Sequence, residues 1–393
     1  MANLKEHILL LESGSREKGG AISVGIPSLG AEHLNDSGGF YLSKEKVKFI
    51  SEKHYNGMKT GKIKVHDILV VKDGATTGKT SFVDSNFPFS IAAINEHVFL
   101  IRTQPQLYPK YLFYFLYSDA GKRLILRDFR GATVGGISRN FVDMDLPIPS
   151  LYVQQKIVAI LDYVSNIIEK RKLQIEKLDL LVKSQFIEMF GDPVTDSKKL
   201  GTKPLGDSIL SIRYGTSTPP PYSDSGFAFI RATNITQGHI VDNGMKFISE
   251  EAGKTIEKCK LNGGELIIVR SGVNTGDTCV VPQKYAGHYA GYDIIVEPNP
   301  TELDVIFVNE LLNTTYMQYV VKPLTARSAQ PHINVEQVKS LPIIQPSIEL
   351  QNRFTDFVRQ VDKSKFELSQ GLARLELLYK SLMQKCFNGE LYS

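Results

Sequence analysis

Residues 74–80 read Gly-Ala-Thr-Thr-Gly-Lys-Thr and follow an apolar run, so they are the first place to look for phosphate chemistry. A phosphate-binding loop sets four residues between its first glycine and Gly-Lys-Thr, so that enough backbone N–H groups curl around the anion. Here there are three, and the position that should be glycine is Asp73. A tight turn that presents side chains is the better reading. Thr-Pro-Pro-Pro-Tyr at 218–222 resembles the loop with which DNA amino-methyltransferases hold a target amine, but that loop needs a polar acceptor before Pro-Pro-Tyr. Pro219 cannot accept, and a rigid polyproline loop accounts for the segment. The eight histidines (His7, His33, His54, His66, His97, His239, His288 and His332) never fall at HxH or HxxxH spacing. Glu-x-Lys and Gly-x-Ser-x-Gly are both absent from the sequence. No constellation for metal, nucleophilic or nuclease chemistry emerges, and the chain reads as non-catalytic.

Composition narrows the class. With 393 residues, of which 42% are hydrophobic and 22% charged, the chain can build two or more real cores. No apolar run reaches the roughly 18 residues that cross a bilayer. The start, MANLKEHILLLESGSREKGG, lacks a basic opening and a small-residue cleavage site, so the expected location is cytoplasmic, with no membrane partner. Cys259, Cys279 and Cys386 are odd in number and widely spread, which fits a reducing compartment. The net charge of +4 is too mild to identify a polyanionic partner by itself.

Self-similarity organises the whole chain. DILVVKDGATTGKT at 67–80 returns as ELIIVRSGVNTGDT at 265–278, an offset of 198. KFIS recurs at 48–51 and 246–249, Leu-Pro-Ile at 146–148 and 341–343, and LVKSQFIEMFGD at 181–192 returns as LYKSLMQKCFNG at 378–389. One unit of nearly 200 residues is duplicated in tandem, so each copy is a domain with an appendage.

The first part of each unit reads as mixed α/β. ILVV (68–71) and LIIV (266–269) are buried strands ended by glycine turns. Residues 108–127 and 305–322 each read as one amphipathic helix. The appendage differs: residues 150–190 contain neither Pro nor Gly. There Ile157, Ile160, Val164, Ile167, Ile175, Leu178, Val182 and Met189 recur near the helical period, with Arg171 and Gln185 in the seam. The second copy offers Leu350, Phe354, Phe357, Val361, Leu368, Leu372, Leu375, Leu382 and Cys386. Ser150 and Ser347 suit N-caps, and Gly191 and Gly389 suit stops. About 40 residues make a helix of roughly 60 Å. Two such stripes can hide each other. The expected fold class is α+β: two similar mixed α/β domains joined by two long helices in an antiparallel coiled coil, an internal pseudo-two-fold repeat. The expected domains are 1–149 and 192–346, with spacer helices at 150–191 and 347–393.

Residues 1–149 carry 19 Lys and Arg against 15 Asp and Glu, and residues 200–346 carry 12 against 14. If nucleic acid binds, local loops must do it, using side chains that read base edges or hold phosphates. In the first unit the candidates are Arg16, Lys18, Lys72, Lys79, Arg130, Arg139 and Asn140. In the second they are Arg213, Tyr214, Thr216, Arg231, Asn234, Arg270, Asn274, Arg327, Gln330 and His332. They fall at matching places while their types differ, as expected of one scaffold reading two different half-sites.

The tandem duplication, the two segments at 67–80 and 265–278, and the approaches LPIPSLYVQQKIVAILD (146–162) and LPIIQPSIELQNRF (341–354) together resemble the specificity subunits of type I restriction–modification enzymes. The resemblance spans nearly the whole chain. It departs at the start of the first unit, where the Leu-Gly-Asp found at 205–207 is missing, and at Val134-Gly135, which stand where the second unit has Gln330-Pro331. It implies two target-recognition domains held by a helical ruler over a two-part duplex DNA target with an unspecified spacer. It implies two methyltransferase subunits docked on the helices, and restriction subunits beyond them. S-adenosylmethionine, ATP and Mg would sit on those partners, with no cofactor or metal in this chain. The competing readings are a self-contained DNA methyltransferase or nuclease, and a dimerising scaffold with no role on DNA.

Overall fold

The computed structural model describes residues 1–43, 46–131, 135–236, 238–325 and 331–390. The chain divides into two compact units: Met1–Lys172 with Gln370–Ser393, and Leu173–Ser369. Both boundaries fall inside long helices, because the central helix runs Leu151–Phe190 and the C-terminal helix Ile348–Phe387.

Unit one opens with β1 (Ile8–Ser13), β2 (Ile26–Leu29) and β3 (Lys48–Ile50), followed by β4 (Ile68–Val71), β5 (Thr80–Phe82), β6 (Ala93–Ile94) and β7 (Val98–Thr103). An antiparallel sheet has the order β1-β7-β4-β5, and a smaller one the order β3-β2-β6. Unit two repeats this with β8 (Ile209–Tyr214), β9 (Phe227–Ile230), β10 (Lys246–Ile248), β11 (Leu266–Ile268), β12 (Thr278–Val280), β13 (Tyr289–Ala290) and β14 (Ile294–Pro298). Its sheets run β8-β14-β11-β12 and β10-β9-β13. The duplication extends to a β-bulge: the first strand slips register between Ile8 and Leu10, and its copy between Ile209 and Ser211. The apolar runs form central strands with no exposed face, since Ile68–Val71 and Leu266–Ile268 are buried throughout.

The acid that opens each duplicated motif is structural. Asp67, 1% exposed, accepts from Arg102 Nε at 2.6 Å and Nη2 at 2.9 Å, and from the Lys64 N–H at 2.7 Å. Glu265, 2% exposed, accepts from Arg213 Nη2 at 2.7 Å and from the Asn262 N–H at 2.8 Å. In both copies a buried carboxylate ties the turn before a central strand to an arginine of the same sheet, on the adjoining β7 in unit one and on the edge strand β8, beyond β14, in unit two.

The helices expected at 108–127 and 305–322 are each broken. In unit one α1 (Pro109–Tyr117) ends at Ser118, whose extended backbone (ψ 158°) stops the helix and whose hydroxyl accepts from the Gly121 N–H to start α2 (Asp119–Leu126). Gly121 lets the turn close: a Cβ there would lie 2.0 Å from the Phe115 carbonyl oxygen. In unit two α3 (Val305–Leu312) ends at Asn313, and a π-helical turn follows at Met317–Val321.

Within unit one, Ile157, Val158, Leu161 and Ile168 of the central helix share a core with Tyr379, Met383, Cys386 and Phe387 of the C-terminal helix, and Lys172 pairs with Glu376 at 2.8 Å. Within unit two, Val182, Phe186 and Phe190 pack with Phe354, Val358 and Val361, and Asp179 pairs with Lys365. Rising numbers on one helix meet falling numbers on the other, so the pairing is antiparallel. The seam departs from the sequence register: Ile160 is 41% exposed, while Leu161, Phe186 and Phe190 are fully buried.

Two glutamines lock the helix starts. Gln154, wholly buried, accepts from the Tyr108 N–H at 2.7 Å and donates to the carbonyls of Gln106 (3.0 Å) and Pro149 (2.8 Å). Gln351 does the same with the Asp304 N–H (2.8 Å) and the carbonyls of Glu302 (3.0 Å) and Pro346 (2.9 Å). Gln351→Ala leaves three buried backbone groups unpaired and is expected to cost about 2–4 kcal/mol. A urea-unfolding midpoint unchanged from the parent would refute that role.

Candidate nucleic-acid interface

The duplicated glycine motif is a hairpin turn in both units. Gly74 and Gly78 sit at φ +91° and +82°, Gly272 and Gly276 at +94° and +91°, a region that favours glycine. Thr77 Oγ1 donates to the Gly74 carbonyl at 2.7 Å, and Thr275 Oγ1 to the Gly272 carbonyl at 2.6 Å. The N–H groups of Thr77, Gly78 and Lys79 are spent on Gly74, Val71 and Thr76. No ring of backbone donors is left to hold a phosphate, which agrees with the spacing argument.

Each turn projects from a rim built at one end of the larger sheet. In unit one the rim carries the end of β4, the approach to β7 and a returning loop: Ile137 N–H donates to Lys72, and Gly74 N–H to Gly135. In unit two Ile333 N–H donates to Arg270 at 3.0 Å and Gly272 N–H to Pro331 at 3.4 Å. The scaffold is the same and the side chains differ. In unit one Lys72 Nζ donates to the Glu96 carbonyl at 3.4 Å, and His97 pairs with Asp73 at 2.6 Å. Glu96 Oε2 is buried with no hydrogen-bond partner among the described residues.

In unit two Arg270 lies between the rings of Tyr214 and Tyr292, its guanidinium carbon 4.4 and 4.5 Å from their centroids. Its Nε donates to His332 Nε2 at 2.9 Å, and its backbone N–H to Asp293 Oδ1 at 3.1 Å. Asp293 is 2% exposed and its Oδ2 has no partner among the described residues. Burial pushes its carboxyl up to about 6, against the pull of the Arg270 N–H and charge. Burial, then the charge of Arg270, holds His332 below the ordinary histidine value. Val273, at the apex of the turn, is fully exposed.

The remaining candidates divide by exposure. Arg16, Lys18, Arg130, Arg139 and Asn140 are on the surface of unit one; Arg139 Nη1 donates to the Leu11 carbonyl at 3.1 Å, and Arg130 is loosely paired with Asp128 at 3.6 Å. Lys79 pairs with Asp36 at 2.8 Å in the wall of a pocket of about 400 Å³ that Thr76, Tyr117 and Lys122 also line. In unit two Arg231 donates through Nη2 to the Gly244 carbonyl at 2.7 Å, with its guanidinium 5.9 Å from the Tyr222 ring. Asn274 Nδ2 reaches the Ala232 carbonyl at 3.5 Å, and Thr216 Oγ1 closes its own turn on the Thr218 carbonyl at 2.9 Å. Arg327 and Gln330 lie outside the described residues.

Two of the candidates are engaged within the fold. Asn234 is fully buried; it accepts from the Arg231 N–H at 3.2 Å and donates towards the carbonyls of Val241 and Asn243, so it holds a turn and offers nothing to a duplex. Arg213 is committed to Glu265 and to the carbonyls of Lys258 and Lys260, and its work is inside the sheet. Conversely Tyr292 and Asp293 escaped the sequence reading. Nothing in GYDIIV separates them from strand residues until the fold sets them beside Arg270.

Among the described residues no group of three or more His, Cys, Asp or Glu is placed to hold a metal ion, and no helix is long and apolar enough to cross a membrane.

A family model described as the type I restriction modification DNA specificity domain matches residues 16–177 and again 209–377. The EcoKI specificity subunit of Escherichia coli strain K12 is 21% identical over 362 residues, covering 84% of this chain and 76% of its own length. The MjaIX specificity subunit of Methanocaldococcus jannaschii is 23% identical over 302 residues, covering 71% and 68%. Among solved structures, the S subunit of a type I restriction–modification system from M. genitalium superposes with a TM-score of 0.55 at 16% identity, covering 98% of this chain and 95% of its own. A chain from an assembly of the type I R-M system gives 0.58 at 18%, covering 99% and 97%. These superpositions establish a shared fold.

Proposed function

The chain belongs to the type I restriction modification DNA specificity domain family, and from that premise we propose that it selects a two-part DNA target and brings methyltransferase subunits, and restriction subunits with them, to it. The observation that carries this reading is the pair of rims. Both rest on the same hairpin turn and returning loop, yet one presents Lys72, Asp73 and His97 and the other Arg270, Tyr292 and His332. A duplicated scaffold with divergent rim residues is what two unlike half-sites require. The catalytic reading gains no support from the rims, where among the described residues no cluster of His, Cys, Asp or Glu is placed to hold a metal ion.

Two features favour protein partners as well. The two domain stretches are nearly neutral, so further phosphate contacts must come from elsewhere for tight binding at physiological salt. The long helices also leave large apolar side chains in solvent: Tyr163 (69% exposed), Leu180 (61%), Leu377 (68%) and Leu378 (65%). Exposed apolar groups on a helix face suit a partner surface. We place the methyltransferase subunits there, carrying S-adenosylmethionine, with ATP and Mg on restriction subunits.

The test is the methylation pattern in cells that express this chain with its methyltransferase partner. The expected product is methylated adenine in a target of two short motifs around a spacer of fixed length. Inserting one helical turn, about 5.4 Å, into each long helix should lengthen that spacer by one or two base pairs, given about 3.4 Å per pair. An unchanged spacer overturns the ruler, and methyl transfer by the purified chain alone overturns the non-catalytic reading.

A further inference from the structure

We propose that Arg270 reads a guanine in the half-site bound by unit two, with Tyr214, Tyr292, His332 and Asp293 holding its guanidinium in one plane. This rests on the DNA-specificity reading and says which base one side chain of the site selects.

Arginine carries five N–H donors in a rigid fork. The guanidinium carbon of Arg270 lies over two tyrosine rings, 4.4 Å from the Tyr214 centroid and 4.5 Å from that of Tyr292. The Nε–H is spent on His332 Nε2 at 2.9 Å. Arginine never accepts a hydrogen bond, so His332 Nε2 is the acceptor and the proton of its neutral ring sits on Nδ1. That neutral form is the one favoured by burial and by the cation beside it. No described residue accepts from either Nη, so the open edge is the parallel pair of terminal N–H groups. That pair matches guanine O6 and N7 in the major groove.

A phosphate also accepts such a pair, and the surroundings decide between them. A side chain that holds a phosphate tolerates freedom, because the backbone oxygens can be met from many angles. Base reading needs a fixed plane. Here two tyrosine rings against the guanidinium, one histidine bond and a buried carboxylate on the backbone of the same residue limit that freedom. Asp293, 2% exposed with Oδ2 unpartnered among the described residues, supplies counter-charge without competing for the Nη edge. The turn that follows also puts Val273 fully into solvent, an apolar tip of the kind that meets a thymine methyl in that groove. Unit one has Lys72 at the corresponding place, a flexible cation over the Phe99 ring at 5.8 Å, and so no such fork.

The experiment selects from random-sequence duplexes with the full-length chain assembled with its methyltransferase partner, then repeats the selection with Arg270→Gln and with His332→Ala. Wild type should enrich a two-part motif with an invariant guanine in one half. Arg270→Gln should lower the preference for that guanine by about tenfold or more and favour adenine there, because glutamine pairs with adenine N6 and N7. The other half-motif should stay as it was, with the selection run at a temperature where the variants remain folded. His332→Ala should weaken the same position only, a selective loss that a purely structural histidine would not produce. If Arg270→Gln leaves every base preference intact, or weakens all sequences equally as loss of a phosphate contact would, the assignment to guanine is wrong while the specificity role stands. If wild type itself enriches nothing, the specificity reading fails and takes this inference with it.

Discussion

Arg213→Ala is expected to destabilise unit two by about 3–5 kcal/mol, the range for removing one partner of a buried ion pair. The side chain that stays behind is the reason. Glu265 is 2% exposed, and without Arg213 Nη2 at 2.7 Å its charge has only the Asn262 amides for company. Neutralising the carboxylate or admitting water would each disturb the turn before β11, which carries Arg270 at its other end. Arg213 is one-quarter exposed and also donates to the Lys258 and Lys260 carbonyls, so the loss includes two backbone links. The measurement is a urea titration followed by tyrosine fluorescence, paired with DNA binding well below the melting point. The expected result is a large fall in midpoint, with DNA affinity retained where the protein is still folded. Unchanged stability with lost affinity would return Arg213 to the DNA surface, where the sequence had placed it.

That case shows which parts of the molecule can be read without coordinates. The duplication, the buried strands at 68–71 and 266–268 and the two long helices were visible, because each depends on local period and on repetition. The breaks in the helices after Tyr117 and Leu312 were not. They depend on Ser118 and Asn313 capping what apolar periodicity would continue, and short-range polar bonds outcompete the helix there. The seam of the paired helices was placed one residue out at Ile160 and Leu161 because facing side chains set which of two adjacent apolar residues turns inward. Candidate loops could be located but not sorted. Arg213, Arg231 and Arg270 look alike in sequence, yet one is bound to Glu265, one to the Gly244 carbonyl, and one is sandwiched between tyrosines. Exposure and partners tell the three apart, and those partners lie from 13 (Gly244) to 62 (His332) positions away in the sequence.

The duplication also predicts a crossed pattern of damage. Phe190 and Phe387 are copies of each other, separated by 197 residues. Phe190 ends the central helix, in the first copy, but packs on Phe307 (4.8 Å between ring centroids) and Phe354 (5.4 Å) in unit two. Phe387 ends the second copy but packs on Tyr111 and Phe115, each at 5.4 Å, in unit one. Each globular core is therefore completed by the helix end of the other sequence repeat. Either phenylalanine replaced by alanine should cost about 3–5 kcal/mol, since both are buried aromatic side chains whose loss opens a cavity. Amide hydrogen exchange locates the damage. Phe387→Ala, six residues from the last position of the sequence, should deprotect 109–117 and leave 305–312 protected. Phe190→Ala should do the reverse. If Phe190→Ala loosened 109–117 instead, each repeat would be closing on its own helix, and the exchange of helix ends between the sequence repeats would be refuted.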